Sequence, residues 1–257
     1  MTGEGQIRLE REGSIARLVI SRATKLNAFN AEMVSELGRL CALIEHDNSI
    51  RVAIITGEGA KAFSAGGDIE AWSEASPDDF GRFWVREGHI AFDALARLRQ
   101  PLIAVLNGHA LGGGLELAAC ADYRIAEVHA KIGQPETGLG IIPGWSGTQR
   151  ATRRFGAQVV RRMAIFGEIL TANAAHELGI VDEVVETGEG MARATQLATK
   201  VCSRAPLATE LTKMLVNAAE SEETERVFDA IAGMAAAQSK ELKEGLLAFR
   251  AKRPPAF

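Results

Sequence analysis

Residues 101 to 150 constrain the fold of this chain more than any other stretch. They open with an apolar run, Pro101 to Leu106, that reads as a buried strand. After Asn107 the sequence breaks into three consecutive glycines, Gly112, Gly113 and Gly114, and a helix-forming run follows at once, Leu115 to Ala121. A strand, a glycine turn and a helix N-terminus in that order are parts of an α/β protein. Glycines let a ligand approach the backbone closely. A helix N-terminus presents unpaired N–H groups to negative charge. Glu116 falls in the first turn of that helix, and a second carboxylate, Glu136, follows Pro135 in another glycine-rich segment.

A second turn of the same kind precedes the first. Val52 to Thr56 reads as a short strand, and AKAFSAGGD at 60–68 follows it. A backbone N–H at Gly67 and another at Gly113 can converge on one oxygen, the arrangement that stabilises an oxyanion. The alternative is that these glycines serve only tight turns or close helix–sheet packing. The triplet does not fit the spaced dinucleotide pattern G-x-G-x-x-G. Glu116 sits among Leu115, Leu117, Ala118 and Ala119, where burial would raise its pKa into a range useful for acid–base work. Its other reading is a favourable charge at a helix N-terminus. Glu136 has a similar alternative as a helix-entry residue, and sequence separation alone does not place the two together. Asp68 is expected to cap the turn before Ile69, and Asp122 to satisfy backbone donors before Tyr123. His109 is read either as structural or as pointing into the site.

Other chemistries find no support. The five histidines show no H-x-x-x-H spacing, so no metal site is expected. Gly144-Trp145-Ser146-Gly147 fails the G-x-S-x-G pattern of serine hydrolases. Formal net charge is −4 and aromatics total 5%, which argues against a nucleic-acid or anionic membrane partner. The basic run Arg150, Arg153, Arg154, Arg161 and Arg162 is read as a solvated or inter-subunit face. Cys41, Cys120 and Cys202 lie far apart in apolar contexts, as buried reduced thiols do. Met1 to Glu10 carries no apolar signal region and no apolar run reaches membrane length, so a cytoplasmic protein is expected.

Along the remaining chain, Ile7 to Glu10 and Ile15 to Ser21 read as strands. Asn30 can cap a helix carrying Met33, Leu37, Leu40, Cys41 and Ile44 at helical spacing. Ser76 and Pro77 open a helix that can run to about Arg99. Its Phe80, Phe83, Trp84, Ile90, Leu95 and Leu98 are core residues or the wall of an apolar pocket. Thr171 can cap a short helix, Ile180 to Val185 reads as a last strand, and from Met191 onward the signal is helical. That shift predicts a core over residues 1–195 and a helical segment over 196–257.

At these residues the chain resembles the crotonase superfamily, the enoyl-coenzyme A hydratase/isomerase family. The matching pieces are RATKLNAF at 22–29, AKAFSAGGDI at 60–69, NGHALGGGLELAACADYRIA at 107–126, GQPETGLGIIPGWSGTQR at 133–150 and KEGLLAFRAKRPPAF at 243–257. The resemblance spans nearly the whole chain, in the right order. It implies an α/β spiral of repeated ββα units and a C-terminal helical segment used for trimerisation, giving a homotrimer or a dimer of trimers. It implies an acyl-coenzyme A thioester as substrate, with the coenzyme part of that substrate and no cofactor. Its oxyanion donors fall on the N–H groups of Gly67 and Gly113, and its two catalytic glutamates on Glu116 and Glu136. Substrate contacts fall on Lys25 and Ala28 along the nucleotide and on Lys61 near its phosphates. Ala65, Asp68, Ile69 and Trp145 are further substrate-binding positions, and Phe249 and Lys252 fall near a neighbouring subunit's ligand.

The activity implied is hydration of a trans-2-enoyl thioester, with double-bond isomerisation or another reaction of the scaffold as the alternative. An RNA-binding or catalytically silent member is opposed by the net charge and by both glutamates. The sequence also departs from the family pattern. Gly67 stands where alanine is frequent, Ala23 replaces a proline, and Ile132 replaces a phenylalanine. Trp145 and Ser146 stand where smaller residues are usual, and the tryptophan bears on the shape of the acyl pocket.

Overall fold

Every residue of the strand Val52–Gly57 is buried, on both faces. Ala53 and Ile55 face one apolar cluster, and Val52 and Ile54 face a second. A strand covered on both sides belongs in the middle of a parallel sheet between layers of other elements. The computed structural model, which describes residues 5–257, places it there.

The strands are β1 Gln6–Glu12, β2 Ile15–Ser21, β3 Val52–Gly57, β4 Ala62–Ser64, β5 Leu102–Leu106, β6 His109–Leu111, β7 Tyr123–Glu127, β8 Lys131–Gly133, β9 Leu170–Thr171 and β10 Glu183–Val185. They form two sheets. The larger has the order β1-β2-β3-β5-β7-β10 and the smaller β4-β6-β8-β9. Among the described residues only the β1–β2 and β8–β9 pairs are antiparallel. A strand of the larger sheet, a short strand of the smaller sheet and a helical segment therefore recur from β3, from β5 and from β7. This is the strand–strand–helix spiral expected from the resemblance.

This topology sets the position of the site. β4, β6 and β8 are parallel neighbours, so their carboxyl ends lie side by side. The segments leaving those ends are Ala65-Gly66-Gly67, Gly112-Gly113-Gly114 and Gln134-Pro135-Glu136. Ligands of open α/β sheets bind beyond the carboxyl ends of strands, and three turns separated in sequence meet here for that reason.

Local expectations hold where local chemistry decides them. Asn30 caps the helix Ala31–His46 by accepting from the Met33 N–H, and the five apolar residues named for that helix are all buried. Asp122 accepts from the N–H of Leu102 at 2.7 Å. Cys41 and Cys120 are buried and Cys202 is half-buried, and none of the three is in a disulfide. The helix expected from Ser76 to Arg99 is interrupted: after Pro77–Asp79 the segment Phe80–Val85 widens into a π-helix before the α-helix Arg86–Ala96. The last strand is shorter than expected, Glu183–Val185, with Ile180 and Val181 buried ahead of it in the main core.

The chain divides into a unit ending at Glu210 and a unit from Leu211 to Phe257. The division falls beyond the compositional shift near residue 195, because composition follows secondary structure and not packing. The helix Gly190–Cys202 lays Ala194 and Ala198 on Val52, Ile54, Ile103, Val105 and Ile125, as part of the second core. The second unit carries the end of the helix Pro206–Ala219, then Thr224–Ala237 and Lys240–Ala251. Ser239 caps the last of these. Among the described residues no helix is long and apolar enough to cross a membrane, and no group of His, Cys, Asp or Glu could hold a metal ion. Of the N-terminal segment Met1 to Glu10, the first four residues lie outside the described residues.

Candidate active site

Glu116 belongs to the helix Gly113–Ala118, every residue of which is buried. A carboxyl group there needs donors, and the loop after Pro143 supplies them. The N–H groups of Trp145 and Gly147 both donate to Glu116 Oε1, at 2.8 and 2.6 Å. Ser146 between them has φ +78°, in the left-handed region that a side chain rarely occupies. That turn aims two nearby amides at one oxygen, as backbone nests do. Gly147 has no alternative, since a Cβ on it would lie 2.5 Å from both Glu116 Oε1 and Gln134 Nε2.

Glu136 enters from β8 at the start of a single 3₁₀ turn, Glu136–Leu139. A Cβ on Gly112 would lie 3.0 Å from Glu136 Oε1, so this carboxyl rests against the residue just before Gly113. Both of its oxygens are buried and accept no hydrogen bond from the described residues. Burial, then the charge of Glu136, pushes the Glu116 carboxyl up to about 8, against the pull of the two amides and of Arg150. Burial pushes Glu136 up to about 7.

The glycine turns meet as their parallel strands require. A Cβ on Gly66 would lie 2.7 Å from the nitrogen of Gly113, so the backbones of the two turns are in contact. Gly113 is the first residue of its helix and has no intrahelical acceptor for its N–H. Gly67, Gly113, Glu116 and Glu136 line one pocket of about 590 Å³, its open mouth included. Ala65, Ile69 and Trp145 line it as well. From the widened helix come Phe80, Trp84 and Val85, and from the loop after Glu136 come Leu139, Ile141 and Ile142. Of the aromatic and aliphatic residues weighed as a pocket wall, Phe80 and Trp84 take that role. Leu95 and Leu98 are core, and Phe83 and Ile90 are exposed.

The other residues named from the sequence have different neighbours. The Asp68 carboxylate caps Glu70 N and pairs with Arg22 at 2.6 Å, so it braces the turn behind Gly67 and does not line the pocket. Lys25 pairs with Glu70 at 2.6 Å. Ala28 is buried and its carbonyl accepts from Arg22. Lys61 is exposed, and its carbonyl accepts from the His109 N–H. Phe249 is 82% exposed in the second unit, and Lys252 ends that unit's last helix. His109 is structural: its Nδ1 accepts from Lys131 N at 3.2 Å.

One reading is corrected. Arg150 is not on a solvated or inter-subunit face but is 1% exposed and pairs with Asp93 at 2.6 Å, close enough to act on Glu116. Arg154 likewise turns inward, to the carbonyls of Ala119 and Ala121. A run of charges reads as a surface only until its period is set against the fold. Sequence reasoning also missed Gly88, whose signal was a glycine in the interior of a helix, and the paired amides of Trp145 and Gly147, which left no signal in composition.

Comparison with known proteins finds relatives over nearly the whole chain. The family model described as enoyl-CoA hydratase/isomerase matches residues 10–257. The short-chain-enoyl-CoA hydratase of Clostridium acetobutylicum is 37% identical over 95% of this chain and 94% of its own. The crotonyl-CoA hydratase of Syntrophomonas wolfei is 35% identical over 97% and 96%. A crystal structure of enoyl-CoA hydratase from Bacillus anthracis superposes with a TM-score of 0.80 at 30% identity, covering 98% of each chain.

Proposed function

The chain belongs to the enoyl-CoA hydratase/isomerase family, and we propose that it catalyses the reversible hydration of a trans-2-enoyl-coenzyme A to the 3-hydroxyacyl thioester. The observation that carries this reading is the presence of two buried carboxyls and two glycine amides around one pocket. The thioester carbonyl accepts from the N–H groups of Gly67 and Gly113, which draws electron density from the double bond and leaves C3 electrophilic. Glu116 takes a proton from the attacking water as its oxygen bonds to C3. Glu136 gives its proton to C2. One addition leaves the proton on Glu116 and the charge on Glu136, and the proton passes back to Glu136, directly or through solvent, before the next turnover.

The division of roles follows from the donors. Two buried carboxyls that feel each other's charge titrate as a pair, so near neutrality they share one proton and one charge. Amides hydrogen-bonded to a carboxylate favour its charged form, and Glu116 has two of them. Glu136 feels only its own backbone N–H. Burial raises Glu116 further, to about 8 against about 7, so the charge of the pair is placed on Glu116 because of its two aimed amides and not because of burial. Isomerisation needs one carboxylate, so the second one, held by two amides, favours hydration.

Mixing the protein with trans-2-butenoyl-coenzyme A is expected to bleach the ultraviolet absorbance of the conjugated thioester, and no loss of absorbance would overturn the reading. The rate should follow a bell in pH. Below about 7 both carboxyls are protonated and no base remains; above about 8 both are ionised and no acid remains. A rate that keeps rising through pH values well above the upper limb would contradict the shared proton.

The active form is a homotrimer or a dimer of trimers. The second unit leaves Leu215, Val216, Phe228, Leu246 and Leu247 exposed along its helices, apolar surface that association would cover. Light scattering at micromolar concentration should find a mass at least three times that of the chain, and an active monomer would exclude this assembly.

A further inference from the structure

Trp145 is 3% exposed, although Ile142 in the same loop is 70% exposed. Its indole spans the space between the helix Arg86–Ala96 and the two donor glycines. At one end, a Cβ on Gly88 would lie 2.0 Å from the indole Nε1. The helix therefore carries a notch that only glycine can leave open, at a helix-interior position where glycine is otherwise unfavourable. At the other end, Cε3 lies 3.0 Å from a Cβ built on Gly113, and Cη2 lies 3.4 Å from one built on Gly67. Trp84 and Phe92 flank the ring at centroid distances of 5.1 and 5.0 Å, with Phe29 at 6.3 Å. The indole N–H donates to the carbonyl of Trp84 at 3.2 Å. A ring held at both ends and along its flanks is a fixed wall, because packed interiors resist even small insertions.

We infer that Trp145, seated in the Gly88 notch, closes the acyl pocket and restricts the enzyme to short-chain acyl thioesters. The inference rests on the proposed acyl-thioester reading of the site. With the carbonyl oxygen at the amides of Gly67 and Gly113, C2 and C3 must lie between Glu116 and Glu136. The indole stands against the α-carbons of both glycines, so the space on that side of the carbonyl site is filled by side chain. Each further methylene must displace a ring packed against Gly88, Trp84 and Phe92, and the whole notch would have to open. The backbone N–H of Trp145 stays bonded to Glu116 whatever side chain residue 145 carries. Substitution there changes the wall and keeps the held carboxylate.

The test compares wild type, Trp145→Phe and Trp145→Ala on trans-2-butenoyl- and trans-2-decenoyl-coenzyme A. In parallel, calorimetry measures binding of the saturated butyryl and decanoyl thioesters. Wild type should prefer the four-carbon substrate in kcat/KM by roughly tenfold or more. Trp145→Ala should shift that ratio toward the ten-carbon substrate by roughly tenfold or more, with Trp145→Phe between them. Affinities for the saturated thioesters should follow the same order. If no variant hydrates either substrate but the binding preference appears and Trp145→Ala removes it, the hydratase reading falls and the wall stands. If wild type accepts both lengths alike, if the ratio is unchanged in Trp145→Ala, or if neither thioester binds, the inference is overturned. Circular dichroism reports folding, and Trp145→Phe alone decides the matter should the alanine variant fail to fold.

Discussion

Glu116→Gln and Glu136→Gln are each expected to slow hydration by roughly a hundred- to ten-thousand-fold, the range for loss of a general acid or base. Their residual chemistry should differ. Glu116→Gln removes the proposed base for water but leaves Glu136 against Gly112, beside the proposed oxyanion donor. Exchange of the α-proton of a saturated acyl thioester needs the oxyanion donors and one base, and no attacking water. Glu116→Gln should therefore incorporate deuterium at that carbon faster than Glu136→Gln, as read by mass spectrometry. Equal rates, or the reverse order, would show that the roles are assigned wrongly. Full hydratase activity in Glu116→Gln would make isomerisation the better reading.

The same substitutions should reveal the burial cost of the pair. Both carboxyls are raised in the folded protein from an ordinary value of 4.5, to about 8 and about 7. Between those limits the folded state holds protons that the unfolded chain has released, so stability from this source is complete below about 4.5 and is lost as pH rises through about 7 and 8. Glutamine does not ionise. The melting temperature of Glu116→Gln should thus gain on wild type as pH is raised across that window, and a constant difference would contradict the raised pKa. Function here is held at the expense of stability, as is frequent at active sites.

Replacing the single amide at Gly113 by an ester should lower kcat by about a hundredfold or more, near 3 kcal/mol of transition-state stabilisation. The change is made by chemical ligation of a glycolate at that position. It deletes an N–H that has no intrahelical acceptor, so the helix loses no bond. Proline at the same place would be a poorer test, because Gly113 already touches Gly66 and the Trp145 ring and has no room for a side chain. A folded ester variant with activity within about threefold of wild type would remove Gly113 from the oxyanion hole.

Periodicity and turn chemistry act over a few residues, and whatever depends on them was legible in the chain. The Asn30 cap, the buried face of the following helix, the strands β2, β3 and β5 and the two glycine turns all follow from neighbours in sequence. The apolar setting of Glu116 announced a costly carboxyl in the same way. The family motifs carried the pairing of Glu116 with Glu136, which spacing could not. Tertiary structure decided the rest. The parallel register of β4, β6 and β8 brings Gly67, Gly113 and Glu136 to one pocket. The cores on both faces of the larger sheet claim the helix Gly190–Cys202 and move the division of the chain to Glu210. Arg150 reads as surface until the fold buries it on Asp93. Gly88 and Trp145 are far apart in sequence, and each alone looks like a flaw, a glycine in a helix and a bulky residue in a tight loop. Their fit exists only in space, because shape complementarity between distant residues has no period and no local signature for a sequence to display.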